Sequence, residues 1–147
     1  MENFFISSDK AKLDIAYIHQ FLCYESYWAK NIPLELVQKS ISGSVCFAVY
    51  RQDAISGRDE QAGFARVITD GATFGYLADV FIDSRYRGQG LGKMLMQAIM
   101  QHPDLQGFRR WMLATRDAHG LYAQFGFAPL AQPERFMRYS AFDEYPP

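Results

Sequence analysis

The stretch Arg85-Tyr86-Arg87-Gly88-Gln89-Gly90-Leu91-Gly92-Lys93 decides the prediction of the fold. It lies between an apolar run typical of a strand, residues 77–82, and a run with helical spacing of apolar residues, residues 91–99. Glycines at alternate positions let backbone N–H groups turn toward a ligand, because no Cβ blocks the approach. The helix that follows presents unsatisfied N–H groups and its positive dipole end at the same place. The stretch therefore predicts a strand, an anion-binding turn and a helix.

Two known phosphate-binding motifs do not fit this turn. A P-loop would need a glycine at position 87 and Ser or Thr at position 94, where the chain has Arg87 and Met94. In the dinucleotide fingerprint the third glycine comes one residue later than it does here. That fingerprint also needs an acidic strand end about 20 residues further on, and nothing in this sequence resembles one. A purely structural turn stays open as an alternative, although the flanking arginines favour an anion site.

Periodicity on either side of the turn predicts the remaining elements. Caps at residues 7–9 begin a helix with Ile15, Ile18 and Leu22 on one face, and Pro33 begins a second helix that ends at Gly43. The patterns then predict strands at 45–50, 61–69 and 73–82, a helix at 90–100, a strand at 110–115, a helix at 118–125 and a last strand at 135–139. This order predicts a single α/β domain over residues 1–147, with a mixed sheet flanked by helices.

Composition and charge exclude several classes of protein. The chain has 147 residues, 49% of them hydrophobic, and a net charge of −1, which disfavours a nucleic-acid partner. No apolar run has the length of a membrane span, so no membrane association is expected. Cys23 and Cys46 lack metal-ligand spacing and are interpreted as buried thiols in a reducing cytoplasm. We expect a cytoplasmic protein without a metal.

Basic residues concentrate around the glycine turn. Residues 84–116 hold a single acidic side chain, Asp104, and six basic ones: Arg85, Arg87, Lys93, Arg109, Arg110 and Arg116. A local positive block in a nearly neutral chain indicates a small anionic ligand. A solvated basic face is the alternative.

Three segments together resemble one family. Arg85-x-x-Gly88-x-Gly90 matches the [QR]-x-x-G-x-[GA] pyrophosphate loop of the GNAT superfamily of acetyl-CoA-dependent N-acetyltransferases. The strand Leu77-Ala78-Asp79-Val80-Phe81-Ile82 resembles that family's central strand, and Tyr122-Ala123-Gln124-Phe125-Gly126-Phe127 resembles its Y-x-x-x-G-F segment. The resemblance implies a GNAT-like mixed sheet, splayed between strands 4 and 5, with coenzyme A in the gap. Those strands would be residues 77–83 and 109–115.

The resemblance also implies where acetyl-CoA binds. Backbone N–H groups of residues 87–92 would hold the pyrophosphate, and the pantetheine arm would pair with residues 80–82. Many members have an Asn after the second central strand, where this chain has Arg116-Asp117. The candidate cofactor-binding residues are Val80, Phe81, Ile82, Arg85, Arg87, Gly88, Gln89, Gly90, Leu91, Gly92, Lys93 and Asp117.

The implied reaction is direct attack of a primary amine on acetyl-CoA through a tetrahedral intermediate. By resemblance Tyr122 would protonate the leaving thiolate, with a packing role as the alternative. The backbone N–H of Val80 is the candidate oxyanion donor, with the N–H of Phe81 as the alternative. Strand alternation places Leu77, Asp79 and Phe81 on one face. There Asp79 is either the general base or a structural hydrogen-bonding group.

The segment Tyr24-Glu25-Ser26-Tyr27-Trp28 is the candidate acceptor site. Rings of Tyr24, Tyr27 and Trp28 can surround an ammonium, and Glu25 supplies the opposite charge. The alternative is that Tyr27 and Trp28 anchor the second helix. The expected partner is a small-molecule or peptide amine, and a homodimer is possible. A non-catalytic acyl-CoA-binding sensor on the same fold is the rival function.

Overall fold

One five-stranded mixed sheet organises the molecule. The computed structural model describes residues 3–147. The strands are β1 (Asn3–Ser7), β2 (Val45–Gln52), β3 (Asp59–Thr69), β4 (Phe74–Ile82) and β5 (Arg110–Leu113), and they lie in this order across the sheet. Strands β1 to β4 pair antiparallel, whereas β4 and β5 pair parallel. The predicted mixed α/β sheet is confirmed.

Helices cover both faces of the sheet. They are α1 (Ile15–Gln20), α2 (Leu34–Ser42), α3 (Leu91–Gln101) and α4 (His119–Ala123), and a π-helical turn, Phe21–Glu25, continues α1. Helices α1 and α2 pack on one face around Ile18, Leu22 and Val37, and α3 packs on the other through Leu95 and Ile99. Both cysteines are buried free thiols, as predicted. No helix within residues 3–147 has the length and apolarity needed to cross a bilayer.

The N-terminal region differs from the prediction. Residues 3–7 form β1, a strand that was not predicted, and it pairs with β2 through Phe5 and Tyr50. Helix α1 begins later than predicted, because the Asp14 carboxylate accepts from the Tyr17 N–H at 3.1 Å and caps it. Asp9 instead caps a short 3-10 turn.

The predicted last strand, residues 135–139, is wrong. Residues Pro133–Arg135 form a 3-10 turn, and the residues after it pair with no strand among residues 3–147. A strand pattern in the sequence provides the side chains for a sheet, but a strand forms only where an edge supplies backbone partners. Here the segment lies exposed.

A β-bulge in β4 overturns the predicted alternation. Ala78 pairs with Arg66 and Phe81 pairs with Phe64, so two residues of β4 oppose one residue of β3. Asp79 takes a φ of 55°, in the left-handed region. As a result Leu77 packs with α3, whereas Phe81 packs with α1 on the opposite face.

Strands β4 and β5 separate part-way along their length. Their pairing runs from Phe74–Arg110 to Leu77–Leu113, after which β4 continues to Ile82 without β5. The expected splay between strands 4 and 5 is therefore present. It leaves one edge of residues 78–82 facing open space.

Candidate functional site

A cleft of about 710 Å³ opens where β4 and β5 separate. Its walls come from the end of β4, the loop after β5, helix α4 and the segment before α2. Among the predicted residues, the cleft is lined by Asp79, Val80, Asp117, Tyr122, Tyr27 and Trp28. The structure thus brings together residues from four separate parts of the chain.

The glycine turn has the backbone of an anion cradle. Gly88 and Gly90 have φ values of 81° and 78°, which side-chain-bearing residues rarely adopt. A Cβ built on either residue meets nothing within 4 Å, so the turn is open to an incoming ligand. Gly90 precedes α3, and no side chain caps the first turn of that helix. The free N–H groups of that turn fit a phosphate group.

The three basic side chains at the turn are not equivalent. The Arg85 guanidinium donates to Glu60 at 2.6 Å and to Asp83 at 3.0 Å. These hydrogen bonds from Arg85 hold the pKa of the Asp83 carboxyl below its ordinary value. Arg87 is exposed, with its Nε donating to the Ile82 carbonyl at 3.3 Å, and Lys93 is exposed on α3. Arg87 and Lys93 therefore have more freedom than Arg85 to meet an anion.

Tyr122 lies on α4 and borders the cleft. Its side chain is buried, and this burial, with smaller contributions from Tyr27 and Asp117, raises the pKa of Tyr122 to about 12. The hydroxyl is consequently protonated at neutral pH and can donate. The chain turns away after α4 at Gly126, whose φ is 92°, and the Phe127 ring packs edge-on against Tyr122. This geometry explains the Y-x-x-x-G-F spacing.

Both oxygens of Asp79 are already engaged. Oδ2 accepts from Arg66 Nε at 2.6 Å, and Oδ1 accepts from Trp28 Nε1 at 2.8 Å. Arg66 also donates to the Ser44 hydroxyl at 3.1 Å. Arg66 was not among the predicted site residues, although a charged residue within an apolar strand needs a partner.

The segment 24–28 divides between three environments. Tyr27 and Trp28 line the cleft, and the Tyr27 hydroxyl accepts from the Arg116 N–H at 2.9 Å, across to the loop after β5. Glu25 borders a separate cavity of about 310 Å³ with Tyr17 and Asp83. Tyr24 is 75% exposed. The structure brings two of the four predicted acceptor residues into the cleft.

Tyr145 also lines the cleft and was not among the predicted site residues. The Asn31 side-chain amide donates to its carbonyl at 3.3 Å, which fixes the end of the chain beside the segment before α2. No local pattern could have indicated this contact, because it joins distant parts of the chain. Within residues 3–147, no three His, Cys, Asp or Glu side chains are grouped to hold a metal ion.

The fold and the glycine turn agree with a match to a family model. Residues 42–129, more than half of the chain, match the model of the acetyltransferase (GNAT) domain. The chain belongs to the GNAT acetyltransferase family. The family predicted from residues 77–93 and 122–127 is therefore confirmed. Acyl transfer is the general chemistry of this family.

Individual relatives support this membership. The chain is 33% identical over 138 residues to a Gibberella zeae protein named "Putative acetyltransferase FG08082", covering 83% of this chain and 77% of that one. A Xanthomonas campestris structure described as a putative GNAT-family acetyltransferase is 50% identical, with a TM-score of 0.87 and coverage of 96% and 95%. A Mycobacterium tuberculosis protein, Rv2747, solved with CoA and NLQ, shares the fold at 17% identity and a TM-score of 0.67, with coverage of 86% and 72%.

Proposed function

We propose that this GNAT protein transfers the acetyl group of acetyl-CoA to a primary amine of a small molecule or a peptide, in the cytoplasm. The observation that carries the proposal is the cleft between β4 and β5, which has Tyr122 on its wall and is bordered by β4, the strand that leads along the chain to the glycine turn. Bound acetyl-CoA would supply an activated thioester. Backbone N–H groups of residues 87–92 would hold its pyrophosphate, and residues 80–82 would pair with its pantetheine arm.

Two groups of this chain would stabilise the charges that develop. The N–H of Val80, in the bulge of β4, would donate to the oxygen that becomes negative. The Tyr122 hydroxyl, which is protonated at neutral pH, would give its proton to the sulfur as the bond from the acetyl carbon to the sulfur breaks. A thiol with a pKa near 8.5 leaves readily, so the assistance needed is modest.

The acceptor amine would enter over Tyr27 and Trp28. Their rings meet edge to face with centroids 5.0 Å apart, on the α1–α2 side of the cleft. The Arg116 guanidinium already lies 3.9 Å from the centroid of the Tyr27 ring, so the Trp28 ring is the better candidate for the amine. Ring faces of this kind attract an ammonium group. Tyr24 and Glu25 remain candidates for the outer part of this path, and Asp79 remains the candidate base.

A non-catalytic acyl-CoA sensor has one observation in its favour. Both oxygens of the Asp79 carboxylate already accept hydrogen bonds from the protein, from Arg66 and from Trp28, as a structural group would. A sensor would bind the thioester without consuming it.

A turnover screen tests the proposal. The protein is incubated with acetyl-CoA and with polyamines, amino acids, aminoglycosides or peptides, and the release of free thiol is followed. We expect release above the rate without acceptor for at least one amine class. Acetyl-CoA binding by calorimetry with no turnover on any of these amines would favour the sensor, and absence of binding would overturn both functions.

A further inference from the structure

A chain of hydrogen bonds connects α2 with Trp28 on the wall of the cleft. The Ser44 hydroxyl donates to the Ser40 carbonyl at 2.7 Å and accepts from Arg66 Nη1 at 3.1 Å. Arg66 Nε donates to Asp79 Oδ2 at 2.6 Å, and the Trp28 indole N–H donates to Asp79 Oδ1 at 2.8 Å. The chain of hydrogen bonds therefore joins α2, β3, β4 and the segment before α2.

The donors and acceptors of this chain of hydrogen bonds fit one another without ambiguity. Ser44 gives its single proton to the Ser40 carbonyl, so its oxygen is left to accept from Arg66. Arg66 offers two edges of a planar guanidinium, one to Ser44 and one to Asp79. The side chains of Arg66 and Asp79 are only 17% and 10% exposed, so salt and water screen their attraction little. A buried network of this kind holds its members in one arrangement.

Trp28 is the member of this network that faces the cleft. Its side chain is partly exposed, and its ring contacts Phe21 and Tyr27 with centroid distances of 6.3 Å and 5.0 Å. Exposed side chains change rotamer readily. The hydrogen bond to Asp79 therefore decides which face of the indole is presented to the cleft.

Asp79 lies in the bulge of β4, so the same network reaches the backbone there. Among the described strands, Asp79 and Val80 have no register partner on β3, and β5 pairs with β4 no further than Leu77. Arg66 pairs with Ala78, directly before the bulge, and its side chain binds Asp79. The N–H of Val80, the candidate oxyanion donor, follows in the chain. One carboxylate thus fixes both a ring on the acceptor side and the backbone next to that donor.

We propose that Arg66 is a positioning residue for the acceptor amine and for the oxyanion donor. It acts through Asp79, which sets the Trp28 ring and the Val80 N–H relative to each other. The inference rests on the proposed function, since it concerns the amine and the thioester of that reaction. Arginine suits this role better than lysine, because an ammonium group is a point charge and lacks the flat fork that holds two partners at fixed angles.

Arg66 also lines the cleft, so direct contact with the acceptor is the alternative role for this residue. The two roles differ in how the effects of Arg66 and Trp28 combine. When one residue acts through the other, the effects of changing both do not add, whereas independent contacts with the amine give effects that add.

A double-mutant cycle separates these roles, using an amine that the wild type acetylates. Arg66→Gln should raise KM for a cationic amine about 3- to 10-fold, as much as Trp28→Leu does, because both lose the placed ring. It should lower kcat about 3- to 10-fold, less than removal of an oxyanion donor does, because the Val80 N–H is displaced and not removed. The variant with both changes should show no further rise in KM. An additive rise would overturn the positioning role.

The indole N–H signals in an NMR spectrum report the position of Trp28 without any substrate. The chain has two tryptophans, and Trp111, which packs against Phe108, is the internal reference. Trp28→Phe assigns the two signals. Arg66→Gln should shift the Trp28 signal and speed the exchange of its N–H with water, while the Trp111 signal stays in place. An unmoved Trp28 signal would overturn the proposal.

Lys12→Gln is the matched control. Its ion pair with Asp59 also has a distance of 2.6 Å, but neither side chain lines the cleft. KM, kcat and both indole signals should stay at their wild-type values. If Arg66→Gln does not fold, Ser44→Ala removes only the anchor of the guanidinium and should raise KM and shift the Trp28 signal in the same direction. A folded Ser44→Ala protein with wild-type KM and an unmoved signal would then overturn the proposal.

The kinetic outcomes also separate this inference from the proposed function. Absence of wild-type turnover on every amine would overturn both. Wild-type turnover, with KM and kcat of Arg66→Gln equal to the wild-type values, would overturn the positioning role of Arg66 alone.

Discussion

The glycine turn (residues 85–93) follows the strand β4 that borders the cleft, and the segment 24–28 contributes two residues to the cleft wall. Sequence and structure are related differently in these two regions. In the glycine turn, consecutive residues form one functional unit, with its glycines and the start of α3 side by side. In the segment 24–28, consecutive residues go to the cleft, to a neighbouring cavity and to solvent. A motif made by backbone conformation can be recognised locally, whereas a site made by side chains depends on how the chain is packed.

The physical cause is the type of interaction that shapes each region. The positive φ angles of Gly88 and Gly90 are a property of those residues and need no distant partner. The path of the segment 24–28 is set by the π-helical turn and by the buried Ser26 hydroxyl, which donates to the Leu22 carbonyl at 2.7 Å. It is also set by the hydrogen bond from Trp28 to Asp79 in β4.

The largest expected effect is on kcat, when Tyr122 in the wall of the cleft is changed. Tyr122→Phe should lower kcat by about 10- to 1000-fold, because the leaving thiolate loses its proton donor, while the affinity for acetyl-CoA should persist. With the pKa of Tyr122 raised to about 12, loss of its proton should cause no fall in wild-type kcat below about pH 10. Steady-state kinetics across pH measure both effects.

A buried tyrosine away from the cleft provides the control. Tyr50 is buried, and burial raises its pKa to about 12 as well. Tyr50→Phe should leave kcat unchanged. If both variants behave alike, Tyr122 is a packing residue.

The next effect concerns the glycine turn. Gly90→Val places a β-branched residue at a φ of 78° and a side chain where the pyrophosphate would lie. We expect the Kd for acetyl-CoA to rise about 30-fold, which corresponds to about 2 kcal/mol. Calorimetry measures this.

Gly57→Val is the matched control, because Gly57 has a φ of 70° and also meets nothing within 4 Å. Both variants should lose stability through backbone strain of about 1–3 kcal/mol. Only the first should lose affinity, and equal affinities would remove the turn from the cofactor site.

A smaller effect on turnover is expected at Asp79. Asp79→Asn removes the charge that faces Arg66, in a pair whose side chains are only 10% and 17% exposed, and should lower the free energy of unfolding by up to about 3 kcal/mol. Asn tolerates the left-handed φ at this position. The more exposed Lys12–Asp59 pair is the control, and Asp59→Asn should cost about 0–1 kcal/mol.

Kinetics separate the two roles of Asp79. If Asp79 positions the bulge, kcat of Asp79→Asn should fall less than about 10-fold, below the usual range for lost base catalysis. A fall of 100-fold or more, with the pH optimum displaced, would make Asp79 the base.

The smallest effects divide the segment 24–28 itself. Trp28→Leu should raise KM for a cationic amine about 3- to 10-fold, because it removes the cation–π contact between the amine and the ring. Such a contact contributes about 0.5–1 kcal/mol when exposed and more when it is partly desolvated. Glu25→Gln should raise it less than about threefold, since Glu25 borders the neighbouring cavity. A larger KM increase for Glu25→Gln would show that the ammonium group binds in the cavity beside Asp83.

Most elements of the fold could be predicted from periodicity, because burial against the sheet imposes it. The apolar face of Ile18 and Leu22, the strand at 45–50 and the helix from residue 91 all lie where the pattern indicated. The bulge could not be predicted, because β4 reads as an uninterrupted strand and the extra residue is accommodated only against β3. Residues 135–139 have a strand pattern for the same local reason, but they pair with no strand of the described sheet.

The sequence by itself determined the family, the strand–turn–helix around the glycines and the identity of Tyr122 as a candidate acid. All three are carried by residues close together in the chain. Only the tertiary structure decided that Arg66 and Trp28 hold Asp79, that Glu25 lies outside the cleft and that Tyr145 lines it. The reason is physical: backbone angles and helix ends are local properties, whereas ion pairs, cavities and cleft walls form between segments that only the packed core brings together.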